Sequence, residues 1–151
     1  MKTLTLIFTF FFVAQVRASV VEVIGACDEK AQFISEKIVH DEKMTLGDLT
    51  ISIFEKHKIP FRGSREGIAM IFDSPTGDEA IEKVSENETR FYGWCVQVDG
   101  FEPGDMPDQV YLKNLDSKIT WFYAYAASKD GLWTEICVPS YTKKSLKICK
   151  I

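Results

Sequence analysis

Between Gly93 and Tyr125 the chain alternates in a way that only a sheet accommodates. Trp94, Val96 and Val98 fall on one side of an extended backbone, and Cys95 and Gln97 on the other. Asp99-Gly100 follows, a pair that supplies the positive φ angles of a tight turn. Further on, Ile119, Trp121, Tyr123 and Tyr125 alternate with Thr120, Phe122, Ala124 and Ala126. Apolar side chains on both faces predict a central strand, covered from two sides. The core of this chain is therefore built around a sheet.

One helix is predicted to pack on it. Thr45 has the chemistry of an N-cap, with Asp48 three residues on to meet the free N–H groups of the first turn. Leu46, Leu49, Ile53 and Phe54 then recur at helical spacing, and the helix must end near His57-Lys58, before Pro60. Short β-branched or apolar runs predict further strands at Val20–Ile24, Phe33–Val39, Ile68–Phe72 and Leu132–Val138, with a closing strand at Leu146–Ile151. Val110–Leu112 reads as a brief extended piece. Gly63 and Gly67 bracket a turn, and Phe101–Asp108 is a loop broken by Pro103, Gly104 and Pro107. Ala80–Thr89 reads either as a helical turn or as a polar strand and loop. It contains the sequon Asn87-Glu88-Thr89. The order predicts an α+β domain, one helix across a mixed sheet, with a C-terminal β-hairpin extension.

The N-terminus carries a different signal. Lys2, the apolar run Leu4–Val13 and Val16-Arg17-Ala18 have the three-part layout of a cleaved signal peptide, residues 1–18. The run is shorter than the roughly 20 residues a membrane-spanning helix needs, which disfavours a retained anchor. Ile24-Gly25-Ala26-Cys27 has the outline of a lipobox. Gln15, Arg17 and Glu22 separate it from the apolar run, which argues against lipidation. Cleavage of the 151 residues leaves 133, residues 19–151, a single domain with its own core. Sixteen basic and twenty-two acidic side chains remain, a net charge of −6. That charge excludes nucleic acid and anionic membrane surfaces as expected partners. Lys143, Lys144, Lys147 and Lys150 form the nearest approach to a basic patch and read as charges protecting a strand edge.

The four cysteines, Cys27, Cys95, Cys137 and Cys149, all lie in the mature part and predict two disulfides in a secreted or periplasmic chain. Three connectivities are possible. The preferred one joins Cys137 to Cys149 across the expected terminal hairpin and leaves Cys27 for Cys95. Their spacings match no zinc motif, and only His40 and His57 could assist, so neither metal nor cofactor is expected.

Gly93-Trp94, Asp99-Gly100, the adjacent Tyr111 and Leu112, and Ile119, Trp121 and Tyr123, preceded by Thr45, Leu46 and Leu49, form an ordered set. In it the chain resembles the transcobalamin-like C-terminal domain family, a β-grasp-type module of cobalamin carriers and of exported bacterial proteins. The likeness spans Val20 to Tyr125. It departs from the family pattern at Asp99, where the family has Asn, and at Asp116-Ser117, where it has Gly-Asp. The tail with Cys137 and Cys149 is additional. The resemblance implies a binding domain rather than an enzyme. In the carriers this domain works beside a helical partner, so a free-standing copy is expected to hold corrinoids weakly.

Motifs for serine, metal or phosphoryl chemistry are absent from the sequence. The acidic groups Asp73, Asp78 and Glu79, and Asp105 and Asp108, read as solvated loop carboxylates. The expectation is an exported, non-enzymatic module for a small ligand, corrinoid-like or otherwise partly apolar. Its candidate contacts are the residues the fold does not demand: Phe101, Met106, Tyr125, Trp133 and Tyr141. The alternative is a protein–protein interaction module, an adaptor or inhibitor that receives an exported protein at a sheet edge.

Overall fold

The structure, a computed structural model, describes residues 18–145 and 147–149. The expected signal peptide, apart from its last residue, lies outside them, as do Leu146, Lys150 and Ile151. In chain order the described elements are β1 (Ser19–Ile24), β2 (Ala31–Ile38), α1 (Leu46–Lys56), β3 (Phe61–Ser64) and β4 (Gly67–Ile71). They continue with β5 (Ile81–Lys83), β6 (Glu88–Val98), β7 (Lys118–Lys129) and β8 (Leu132–Pro139). Short 3-10 turns occupy Gly77–Ala80 and Ser140–Thr142. The class is α+β, as the sequence predicts.

β7 is the central strand, and its two-sided apolar pattern has a structural reason. It pairs antiparallel with β6 from Lys118's neighbour Ile119 to Lys129. Its other edge is shared. Residues Lys118–Phe122 run parallel to β1, and Ala124–Lys129 run antiparallel to β8. The main sheet thus has the order β2-β1-β7-β6-β5, while β3 and β4 form a separate ribbon. The imperfect alternation of Phe33–Val39 also has a cause: the β1/β2 register shifts twice, and Lys37 takes a φ of 59°.

Val21, Val23, Ile119 and Trp121 on the sheet meet Leu46, Leu49, Ile53 and Phe54 on α1 in the main core. Half-buried Trp94, Val96 and Val98 pack at its margin. The polar atoms of this core are paired, since the Trp121 Nε1–H donates to Thr50 Oγ1 at 3.1 Å and the Thr50 hydroxyl donates to Leu46 O at 2.7 Å.

The N-terminus of α1 is capped twice over. Asp48 N–H donates to Thr45 Oγ1 at 3.1 Å. Leu46 N–H and Gly47 N–H donate to the carbonyls of Val110 and Pro107, each at 2.8 Å. Three free donors of the first turn are thereby satisfied, and the segment after the Asp99-Gly100 turn is anchored to the helix. Gly47 is required for a second reason: a Cβ there would lie 2.0 Å from the Arg65 carbonyl oxygen in the β3–β4 turn.

A smaller core contains Ala80, Tyr92, Tyr123, Tyr125, Ala127 and Ile148. Ile148 belongs to the tail, which corrects the expected closing strand. Residues 147–149 form a turn, with Cys149 N–H donating to Ser145 O at 2.8 Å. Glu82 joins tail and sheet, accepting from the Tyr92 hydroxyl and the Ser145 hydroxyl, both at 2.6 Å. The Arg90 guanidinium lies 3.7 Å from the Glu82 carboxylate and 4.9 Å above the Tyr125 ring. Lys147 donates to the carbonyls of Asp78 and Ile81, and Lys143 pairs with Glu135 at 3.2 Å. Lys143 and Lys147 tie the tail down; the edge-protecting role expected of the tail lysines required a hairpin that the described residues do not form.

The disulfides are Cys27–Cys149 and Cys95–Cys137, so the expected pairing is corrected. The tail does not return along β8 but crosses to the end of β1, where the Ser140 hydroxyl donates to Ala26 O at 2.7 Å. Cys149 therefore meets Cys27. In β8 the register against β7 shifts between Tyr125 and Ala127, leaving Ile136 and Cys137 opposite a single residue. This bulge, with Cys137 at a φ of 50°, brings its Cα within 5.9 Å of Cys95.

Candidate functional site

The geometry of β6 creates a largely apolar groove. The strand has eleven residues, but β5 covers only Thr89–Phe91 of its outer edge. Beyond that the edge faces β4 and the anchored loop 102–107. The groove has a volume of about 440 Å³. Trp94, Val96 and Trp121 line it from the sheet, Ile68 and Ala69 from β4, and Pro103, Met106 and Pro107 from the loop. The Cys95–Cys137 bridge also contributes to its wall. Three acidic side chains, Glu66, Glu102 and Asp105, complete the lining, and no lysine or arginine belongs to it.

The walls are held rather than loose. The Trp94 Nε1–H donates to Ser74 Oγ at 2.9 Å, and its ring meets Tyr123 edge-on at 5.4 Å between centroids. The Tyr123 hydroxyl donates to Pro75 O at 2.8 Å. The loop is fixed at one end by Pro107 O and Val110 O on the helix N-terminus. At the other end Val98 and Phe101 exchange backbone hydrogen bonds across Asp99-Gly100, with φ angles of 53° and 84°.

The structure brings only one of the expected contact residues to this groove. Met106 is exposed on its loop wall. Phe101 is 79% exposed at the turn, outside the lining. Trp133 lies elsewhere, exposed on β8 with its ring 5.4 Å from Phe91. Tyr141 is half-buried in the last 3-10 turn, where burial raises its hydroxyl, with Glu29 and Glu22 adding to the shift. Tyr125 is a correction. It is 1% exposed, because the bulge in β8 carries Val138 and the lysine-tied tail over it. Its hydroxyl is buried without a hydrogen-bond partner among the described residues.

Trp94, Trp121, Ile68 and the acidic rim escaped sequence reasoning as site residues. The tryptophans read as core, which is also what they are. The mismatch that exposes the edge appears only in the structure, where the three residues Ile81–Lys83 cannot cover an eleven-residue strand. Of the acidic loops, Asp73, Asp78, Glu79 and Asp105 are exposed, while Asp108 has one carboxylate oxygen buried without a partner. Among the described residues no group of three or more His, Cys, Asp or Glu side chains is placed to hold a metal ion.

No family model matches the chain, and no curated protein matches it. Among solved structures it is similar to a chain described as a "putative metal binding protein" from Ruminococcus gnavus ATCC 29149. The two are 17% identical, with a TM-score of 0.41 over 71% of this chain and 95% of that one.

Proposed function

We propose that this chain is a non-enzymatic binding module, secreted or periplasmic, that takes a partly apolar ligand in the groove between β4, β6 and loop 102–107. The groove itself carries the reading. At about 440 Å³ it falls within the size range of ligand sites, and it combines apolar walls with a few polar groups. The two disulfides support an oxidising compartment. Exposed carboxylates support the non-enzymatic reading, since a catalytic acid needs an apolar setting to shift its pKa. The resemblance to transcobalamin-like domains supports a corrinoid as one version of the ligand.

Titration with Nile red, a neutral apolar dye, followed by its fluorescence, tests the site. Ala69→Arg, which fills the groove from an exposed position on β4, is expected to weaken dye binding about tenfold, and Trp133→Ala to leave it unchanged. Equal binding by Ala69→Arg overturns the site. Equilibrium dialysis against cobalamin tests the corrinoid version, which fails if nothing is retained.

A second reading, a protein–protein interaction module, is favoured by β8. Among the described residues this strand pairs only with β7, and it exposes Leu132, Trp133 and Ile136 at 71%, 61% and 69%. Capture of a partner from the exported fraction that Trp133→Ala abolishes supports it. Unaltered capture counts against that surface.

A further inference from the structure

We infer that the occupant of the groove is an extended peptide segment, apolar on one face and bearing lysine or arginine, added as a strand to the uncovered edge of β6. The inference rests on the binding-module reading above and narrows its ligand. In an antiparallel ladder successive residues turn their N–H and C=O groups to alternate sides. The β6/β7 register runs without a shift from Glu88 to Val98, so this parity is unbroken along the strand. Val98 exchanges hydrogen bonds with Phe101 at 2.9 and 3.1 Å, on the side away from β7. Glu88 accepts from Val84 N–H on that side at 2.9 Å. Trp94 and Val96 share the parity of these two residues. Their N–H and C=O groups therefore also turn outward, and both residues line the groove. Among the described residues these four groups have no backbone partner on that side.

An edge of this kind is where an extended peptide binds, its main chain supplying affinity and its side chains register. The charge of the rim selects which peptide. Glu66, Glu102 and Asp105 surround the slot with no basic counterpart in the lining, in a chain that is net acidic. A lysine or arginine finds carboxylates there, and an acidic peptide is repelled. Ile68, Pro103, Met106 and Pro107 offer apolar contact to the residues between the charges.

The test uses the disulfide-intact chain and capped pentapeptides at low salt. The probes are alternating valine–lysine, alternating valine–glutamate, and the lysine peptide with alternate backbone nitrogens methylated. The lysine peptide is expected to bind about tenfold more tightly than the glutamate peptide, and that preference to shrink in 0.5 M salt. Methylation is expected to abolish binding, and Glu102→Lys with Asp105→Lys to reverse the preference. Val96→Pro, which removes one outward donor and no β7 hydrogen bond, should lose the peptide. The methylated peptide probes the same bonds should that variant not fold. Dye binding without any preference for the lysine peptide overturns the peptide inference and leaves the binding reading standing. Binding that survives methylation overturns strand addition. Failure of both dye and peptides overturns the two together.

Discussion

Thr50 shows how much a single hydroxyl decides. It sits 1% exposed on α1, accepts from Trp121 and donates to its own helix. Thr50→Val keeps the shape but strands the indole N–H in the core, at an expected cost of about 1–2 kcal/mol by urea unfolding. The tyrosines set the alkaline limit. Burial, with help from Glu82, pushes the Tyr92 hydroxyl from its ordinary 10 up to about 12, and burial raises Tyr123 and Tyr125 as well. The folded state holds these protons after the unfolded chain releases them. Stability is therefore full below pH 10 and falls as pH rises toward 12. Unfolding at pH 8 and pH 11 checks this, and Tyr92→Phe should flatten the fall. At the acid end, burial would raise the Glu82 carboxyl, but hydrogen bonds from Ser145 and Tyr92 and the charges of Arg90 and Lys147 outweigh it. Its contribution is present above the ordinary carboxylate value of 4.5 and lost as pH falls through its lowered folded value.

At the scale of elements, the N-terminus of α1 organises the groove. Two of its backbone donors hold the loop that carries Met106, and Gly47 presses against the β3–β4 turn that carries Glu66. Gly47→Ala places a methyl against the Arg65 carbonyl and should cost about 2–3 kcal/mol. It should also weaken Nile red binding, because both walls of the groove must give way. A thermal melt and the dye titration together check this; a destabilised variant with unaltered dye affinity separates the helix from the groove. The same anchoring explains why Val110–Leu112 never becomes a strand. Its backbone serves the helix cap, leaving only a bridge between Tyr111 and Thr45.

For the whole molecule the two disulfides act over different spans. Cys27–Cys149 closes a loop of 122 residues and Cys95–Cys137 one of 42. Loop-closure entropy assigns them about 5 and about 4 kcal/mol. Cys27→Ser with Cys149→Ser should thus cost somewhat more than the other pair, and it should release the tail from the tyrosine core. Peptide mapping without reduction checks the pairing, which fails if a fragment joins Cys137 to Cys149.

What could be read along the chain was what depends on near neighbours. Period-two alternation marked β6 and β7, and period 3.6 with a Thr45 cap marked α1, because those patterns follow from where successive side chains point. β3 escaped because Phe61–Ser64 is too short and too polar to show a period, and Ile81–Lys83 is the polar strand that the sequence left open against a helical turn. The disulfide partners, the burial of Tyr125 and the open edge of β6 depended on residues far off in sequence: a bulge in β8, a tail that crosses to β1, and a β5 too short for its neighbour. Residue types alone say that four thiols will pair and that an alternating strand needs partners on its edges. Only the packing of the assembled chain decides which thiols meet and which edge stays bare, since both are distances between segments that local preference leaves independent.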